Sequence, residues 1–313
     1  VDAGRIRVGS PIVHDRSAAT ERAARAARHP LLMRDPKTPN RPEGWVPPGP
    51  KPRGALGDPS LEPRDDETLS YLTGDFRIFQ KKVGHRWSLD DFVTALVATE
   101  EAKRRAESVT RCFDLGCGIG SVLMMLAWAF PEARVQGVEA QEVSVALARR
   151  SLAFNGLESR VSLALGDLRE VPEERSFDLV TGTPPYIPLG SGLVSEKEQR
   201  GPCCFETRGG LEDYALAASR LLADDGIFVA CGGAWPEDRG ARAAAAAGLH
   251  LHRRVDVVPR EGKPVLFRVY VMRRAPIVDP TLERFVVRDA SAAVTAQMHD
   301  ARRVMGLPPL ARS

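Results

Sequence analysis

The chain has 313 residues, enough for one large domain or two small ones with a sizeable core. Its 43% hydrophobic and 27% charged residues are those of an ordinary globular protein, and a net charge of +3 leaves any nucleic-acid surface to local clustering rather than bulk charge. Cys112, Cys117, Cys203, Cys204 and Cys231 are odd in number and contain no C-x-x-C pair, which argues against a secreted disulfide framework or a zinc ribbon and for reduced thiols and no metal. No apolar run reaches the roughly 18 residues of a membrane span, so no membrane partner is expected.

Residues 5–34 are rich in Ala and Arg and poor in acids, a composition shared by organelle-import leaders and exposed helices. A cytoplasmic location is expected, with organelle import as the alternative. Ten of the 24 prolines fall between Pro30 and Pro63, and stretches such as Val46-Pro47-Pro48-Gly49-Pro50 form neither regular helix nor central strand. Residues 1–65 therefore read as a Pro/Arg-rich, partly disordered extension that wraps the folded part, touches RNA or is a plain tail. A folded domain is expected over 66–313, as a monomer.

Residues 76–80 read as a short strand. Residues 91–106 follow the helical period, with Ser88 as N-cap and Asp91 at the third position after it. From there strands and helices alternate. Strands are expected at 112–115, 134–139, 161–165, 177–181 and 226–231, and helices at 121–130, 142–155, 211–222 and 237–247. Two closing strands, 249–257 and 265–272, are joined by a turn at 259–262. This alternation predicts an α/β domain with a mostly parallel sheet covered by helices on both faces.

Four strand ends carry the candidate chemistry. In Asp114-Leu115-Gly116-Cys117-Gly118-Ile119-Gly120, a strand ends and a helix opens, and the glycines let a cofactor approach the main chain closely. Asp114 is placed to meet a cofactor's ammonium group, directly or through water. The third glycine comes one residue too early for the usual dinucleotide fingerprint, which argues against NAD. Glu139 ends the next strand about twenty residues on, where a carboxylate accepts hydrogen bonds from ribose hydroxyls. Asp167 and Leu168 follow the third strand, where they would meet an adenine ring; the competing reading of Asp167 is a turn cap. Thr183-Pro184-Pro185-Tyr186 follows the fourth. Its prolines fix φ and remove N–H donors, so the Pro184 carbonyl is expected to point into a pocket, and Tyr186 offers a face for stacking a planar base or amide.

Asp114 to Gly120 together with Thr183 to Tyr186 resembles the class I S-adenosylmethionine-dependent amino methyltransferases, and among them the tRNA1(Val) (adenine-N6)-methyltransferase-like family. The resemblance extends over roughly residues 70–308. Phe76 to Gln80 with His85-Arg86-Trp87-Ser88-Leu89-Asp90 is similar to that family's leading segment, Gly209 to Asp213 to the helix before its fifth strand, and Val257 to Pro259 with Lys263, Pro264, Arg268 and Val269 to its closing hairpin. Phe285 to Asp289, with Met305 and Gly306, is similar to its terminal segment. The resemblance implies a Rossmann-like fold with a seven-stranded sheet and S-adenosyl-L-methionine as cofactor. It also implies a cofactor site that includes Asp90, and methyl transfer to an exocyclic amine, with adenine N6 of tRNA favoured. The family's fourth motif is usually Asn-Pro-Pro-Tyr; here Thr183 stands for the Asn, a hydroxyl in place of a planar amide.

Two other readings remain open. Thr183-Pro184-Pro185-Tyr186 also resembles glutamine methyltransferases acting on proteins, although their usual helical N-terminal domain does not fit the proline-rich stretch here. A non-catalytic methyltransferase-like RNA-binding or assembly factor is the third reading, disfavoured by the intact glycine turn with Asp114 and Glu139. An RNA partner requires a cationic path, for which Arg200, Arg208, Arg253, Arg254, Arg260 and Lys263 are candidates.

Overall fold

A computed structural model describes residue 42 and residues 44–105, 108–185 and 209–310. These belong to one compact unit, Pro39–Ser313. A small antiparallel hairpin, β1 (Glu67–Tyr71) and β2 (Arg77–Lys81), precedes helix α1 (Leu89–Lys103). The chain then runs β3 (Arg111–Leu115), α2 (Ser121–Ala129), β4 (Arg134–Glu139), α3 (Glu142–Asn155), β5 (Val161–Leu165) and β6 (Phe177–Gly182). It continues with α4 (Leu211–Leu221), β7 (Leu222–Gly233), α5 (Arg239–Ala246), β8 (His250–Val258), β9 (Phe267–Arg273), β10 (Thr281–Val286) and α6 (Ala296–Val304).

The large sheet has the order β10-β8-β9-β7-β6-β3-β4-β5. Only β9 runs antiparallel to its neighbours, β7 and β8. The parallel pairs β3–β4, β3–β6, β4–β5 and β6–β7 align their carboxyl ends along one edge. The fold is the expected Rossmann-like one, with eight strands in place of seven. The additional strand, β10, reads Thr-Leu-Glu-Arg-Phe-Val and is mostly exposed. It is held by main-chain pairing along β8 rather than by burial of its own side chains, so it leaves little trace in the hydrophobic pattern.

The core follows from composition. Strands β3 and β6 are buried along most of their length, as expected for parallel strands covered on both faces. Helix α2 reads Ser-Val-Leu-Met-Met-Leu-Ala-Trp-Ala, apolar all round, and all residues from Ser121 to Ala127 are buried. Helix α3 stops at Gly156, whose φ of 70° caps the last turn in the left-handed region. On α4, Leu211, Tyr214, Ala215, Ala218 and Leu221 are buried at the spacing of one helical face.

Part of the proline-rich stretch lies on this frame. The Arg150 guanidinium on α3 donates to the Ser60 carbonyl at 2.7 Å and the Glu62 carbonyl at 2.6 Å. The Gly54 N–H donates to the Phe154 carbonyl at 2.9 Å, and Trp128 Nε1 to the Pro48 carbonyl at 3.3 Å. No helix among the described residues is long and apolar enough to cross a membrane.

Candidate active site

An open crevice lies where the carboxyl ends of β3, β4, β5 and β6 meet. Its position follows from topology. Strand order runs one way from β3 to β4 and the other way from β3 to β6, so the connecting helices diverge and leave a crevice.

Gly116 and Gly118, with φ of 56° and 55°, form the floor of this crevice. A Cβ on Gly116 would lie 2.1 Å from the Tyr214 hydroxyl, so the glycine is required both by its backbone angle and by the ring resting on it. Gly120, with φ of 86°, N-caps α2 and does not line the cavity; a Cβ there would come 3.3 Å from Ala148 on α3. Its role is close helix packing.

Glu139 lines the cavity at 6% exposure. Its carboxylate accepts the Gly118 N–H at 3.0 Å and the Gln141 N–H at 2.8 Å, which ties β4 to the glycine turn and fixes its oxygens. Asp167 and Leu168 line the opposite side. Asp167 accepts the Arg169 N–H at 2.9 Å and so caps the 3-10 turn Leu168–Glu170 while still facing the cavity. The turn-cap reading is the one the structure shows, and the residue also lines the cavity.

Asp114 lies beneath the glycine turn rather than on the cavity wall. It is 1% exposed; Oδ1 accepts the Thr181 hydroxyl at 2.7 Å and Oδ2 is buried with no hydrogen-bond partner. Burial pushes its carboxyl up to about 7, against the Thr181 hydrogen bond and reinforced by the charges of Asp91 and Glu139.

The fourth strand end places Thr183 and Pro185 on the cavity wall, while Pro184 is buried behind it. Tyr186 lies outside the described residues, as do Arg200 and Arg208. The expected position of Asp90 requires correction. Asp90 does not line the cavity; its carboxylate accepts from the Ser88 hydroxyl and the Asp91 N–H at the start of α1. The carboxylate that reaches the cavity is Asp91, 4% exposed, which caps α1 by accepting the Ser88 N–H at 2.9 Å. Ser121 and Thr183 line the same cavity. Burial, then the neighbouring Asp90 charge, pushes the Asp91 carboxyl up to about 7. Helical geometry explains the exchange: consecutive residues lie about 100° apart on a helix, so only one of two adjacent carboxylates can face the crevice.

His85, Ser121, Gly209 and Tyr214 also line the cavity; the sequence reading placed His85 and Gly209 in family-like segments and named none of the four as a site residue. Two signals were available. Ser121 directly follows the glycine turn, and Tyr214 stands on the buried face of α4.

The cationic path is also revised. Arg253 is enclosed by Glu100, Glu101 and Glu283 at 3.2, 3.2 and 2.6 Å. Arg254 pairs with Glu237 at 3.1 Å and Asp256 at 3.0 Å. Acids on α1 and β10 surround Arg253, while Arg254 meets Glu237 and, on its own strand, Asp256, so their charge is consumed internally. Arg260 and Lys263 are exposed in the turn between β8 and β9. That turn lies at the cavity edge of the sheet, because Phe267, which follows it, pairs with Gly233 at the carboxyl end of β7.

Comparison with known proteins agrees with this geometry. Residues 113–187 match the methyltransferase domain family. The chain is 34% identical over 120 residues to a tRNA1(Val) (adenine(37)-N6)-methyltransferase of Porphyromonas gingivalis, covering 37% of this chain and 46% of that protein. It is 37% identical over 116 residues to a release factor glutamine methyltransferase of Geobacter sulfurreducens, covering 37% of this chain and 39% of that protein. The chain thus spans about half or less of the length of these relatives. A predicted O-methyltransferase from Agrobacterium tumefaciens superposes with a TM-score of 0.50 at 21% identity, over 68% of this chain and 97% of that one.

The residues present fit S-adenosylmethionine. The ligand carries a sulfonium and an ammonium, and the crevice offers the carboxylates of Glu139 and Asp91 with the unpartnered Asp114 Oδ2 beneath it. A glycine floor without side chains leaves space for its chain along the turn. Residues 113–187 form a methyltransferase domain whose crevice fits S-adenosylmethionine.

Proposed function

We propose that the protein is an S-adenosylmethionine-dependent N-methyltransferase that transfers methyl to an exocyclic amine of RNA, with adenine N6 of tRNA as the favoured position. The observation that carries this reading is that Thr183 and Pro185 line the same cavity as Gly116 and Gly118. A planar amine held there lies beside the cofactor's methyl. In this reading Glu139 takes the ribose hydroxyls, Asp167 and Leu168 meet the adenine, and Asp114 attracts the ammonium beneath the glycine turn. The Thr183 hydroxyl and the Pro184 carbonyl hold the amine, with Pro185 and Tyr186 completing the wall around the base. The methyl arrives already activated on sulfur, so the protein's contribution is orientation and electrostatics. Arg260 and Lys263, at the same sheet edge, would meet RNA phosphates.

The test is incubation of purified protein with radiolabelled S-adenosylmethionine and, separately, total small RNA and a protein extract. Label in RNA, identified as N6-methyladenosine by nucleoside analysis and lost in Asp114→Asn, is the expected result. Label confined to protein replaces this reading with glutamine methylation, the activity named for the Geobacter sulfurreducens relative.

A further inference from the structure

S-Adenosylmethionine carries a carboxylate as well as its sulfonium and ammonium, and the acids of the crevice repel that carboxylate. We infer that His85 is the counter-group: its imidazole binds the carboxylate at the cofactor's amino-acid end. His85 thereby makes the site select the intact cofactor over a decarboxylated form, which keeps the adenosine, the sulfonium and the ammonium. This rests on the methyltransferase reading and gives a ligand to a residue outside the four strand-end motifs.

Charge leaves one candidate. Asp91, Glu139 and Asp167 line the crevice, and among the described residues His85 is the one lining side chain that can carry a positive charge. A carboxylate moved out of water beside acids needs a donor of its own. An imidazole supplies an N–H in either protonation state and a charge when protonated. Position agrees with charge. A Cβ on Gly118 would meet His85 Nε2 at 3.9 Å, so the ring lies within van der Waals range of the glycine turn. Gly118 donates its N–H to the Glu139 carboxylate at 3.0 Å, and the Gly166 N–H, next to Asp167, donates to the Glu139 carbonyl at 3.0 Å. His85, Gly118, Glu139 and Asp167 therefore follow one another along the crevice. With Asp167 on the adenine and Glu139 on the ribose, His85 stands at the end left for the amino-acid portion.

The imidazole is presented by a pinned link. His85 lies between β2 and α1, and its neighbours are held on both sides. The Lys82 N–H donates to the Asp66 carbonyl at 2.8 Å. The Arg86 guanidinium donates to the Lys81 carbonyl at 3.1 Å and to the Thr68 hydroxyl at 3.3 Å. The Trp87 N–H donates to the Gln80 side-chain oxygen at 3.0 Å, and both of those residues are buried. Packing of the link thus falls to Trp87, whereas His85 remains half-buried on the crevice wall. A side chain on a backbone fixed in this way has little ordering left to undergo when a ligand arrives, which leaves more of its hydrogen bond as affinity.

The experiment is calorimetry on the full chain with two ligands, S-adenosylhomocysteine and its decarboxylated counterpart, in which hydrogen replaces the carboxylate. The wild-type chain is expected to bind S-adenosylhomocysteine about tenfold more tightly, the worth of one hydrogen bond to a charged group. His85→Ala is expected to erase that preference by weakening S-adenosylhomocysteine alone. Unchanged affinity for the decarboxylated ligand then shows that the variant is folded and its adenosine site intact. His85→Gln, the milder change, keeps an N–H donor without the charge and is expected to lower the preference partway. No preference in the wild-type chain overturns the proposal, as does a preference that survives His85→Ala. An equal loss of both ligands in His85→Ala and His85→Gln alike overturns it too, by making His85 a support for the glycine turn. Failure of the wild-type chain to bind either ligand sinks the methyltransferase reading itself, an outcome that no variant is needed to recognise.

Discussion

Gly116→Ala is the most direct test of how the cofactor floor is built. The residue has φ of 56°, where an L side chain costs about 1–2 kcal/mol. Its new Cβ would lie 2.1 Å from the Tyr214 hydroxyl and 2.9 Å from the ring carbon that carries it. Carbon pairs rest at about 3.5 Å or more, so the phenol must retreat by more than about 0.5 Å at the ring and further at the hydroxyl. The ring also lies over Gly182, where a Cβ would sit 2.5 Å away, and Tyr214 is 5% exposed, so little space exists to move into. Overpacking of this kind costs about 1–3 kcal/mol, giving a total of about 2–5 kcal/mol with the backbone contribution. Tyr214→Phe removes the nearest atom and leaves the 2.9 Å contact, so the double variant recovers part of the steric cost and none of the backbone cost. Urea unfolding of the two single variants and the double variant measures this as a coupling of about 1 kcal/mol or more, and calorimetry with S-adenosylhomocysteine should show loss of binding in Gly116→Ala. If the two changes add independently, or if Gly116→Ala unfolds within 1 kcal/mol of wild type, the account of the floor is wrong.

Arg253→Met removes the cation that joins α1, β8 and β10. Because Glu100 and Glu283 are 34% and 40% exposed, the loss is discounted from the fully buried range to about 2 kcal/mol, with β10 amides exchanging faster by hydrogen-exchange mass spectrometry. Asp114 has its carboxyl raised from 3.8 to about 7 in the fold, so the native state holds a proton that the unfolded state has lost. Stability from this group therefore falls as pH rises from about 4 to about 7, at up to about 1.4 kcal/mol per pH unit, and denaturation across that window should show a flatter profile in Asp114→Asn. Glu67, Glu174 and Glu212 are lowered and so act in the opposite sense, below that window. Gly306→Ala forces a Cβ to 2.4 Å from the Trp128 ring at a residue with φ of 63°, and should lower Tm by several degrees in a thermal melt.

The cofactor half of the site was legible because it obeys a local rule. Asp114, Glu139 and Asp167 each stand at a strand end, and strand ends are marked by runs of apolar residues that stop at glycine or a carboxylate. Helix α3, bounded as expected at Glu142–Asn155, was marked by its period and by Gly156. What escaped has no local marker. Strand β1 carries Glu67 and Thr68 in its buried part, where Glu67 is satisfied by Arg150 at 2.6 Å from a helix 83 residues away. Strand β10 depends on an edge that only the finished sheet provides. Arg253 looked like a cation for RNA because its acidic partners lie on other elements, as far as Glu100 on α1, and Arg254 because Glu237 lies outside β8.

The same distinction separates Asp90 from Asp91. Two adjacent carboxylates are equivalent in a motif, and only the phase of α1 against the sheet leaves Asp90 on the Ser88 hydroxyl and makes Asp91, the cap, a wall of the cavity. That phase is set by α1's apolar face, where Phe92, Val93, Leu96 and Val97 are buried. It is also set by the Ser88 N–H, which binds Asp91 at 2.9 Å. Once α1 docks in this phase, Asp91 lines the same cavity as Thr183 after β6 and Ser121 at the start of α2. Which of two adjacent carboxylates faces the cavity is thus decided by the docking of a whole helix, and it is visible only where the elements converge.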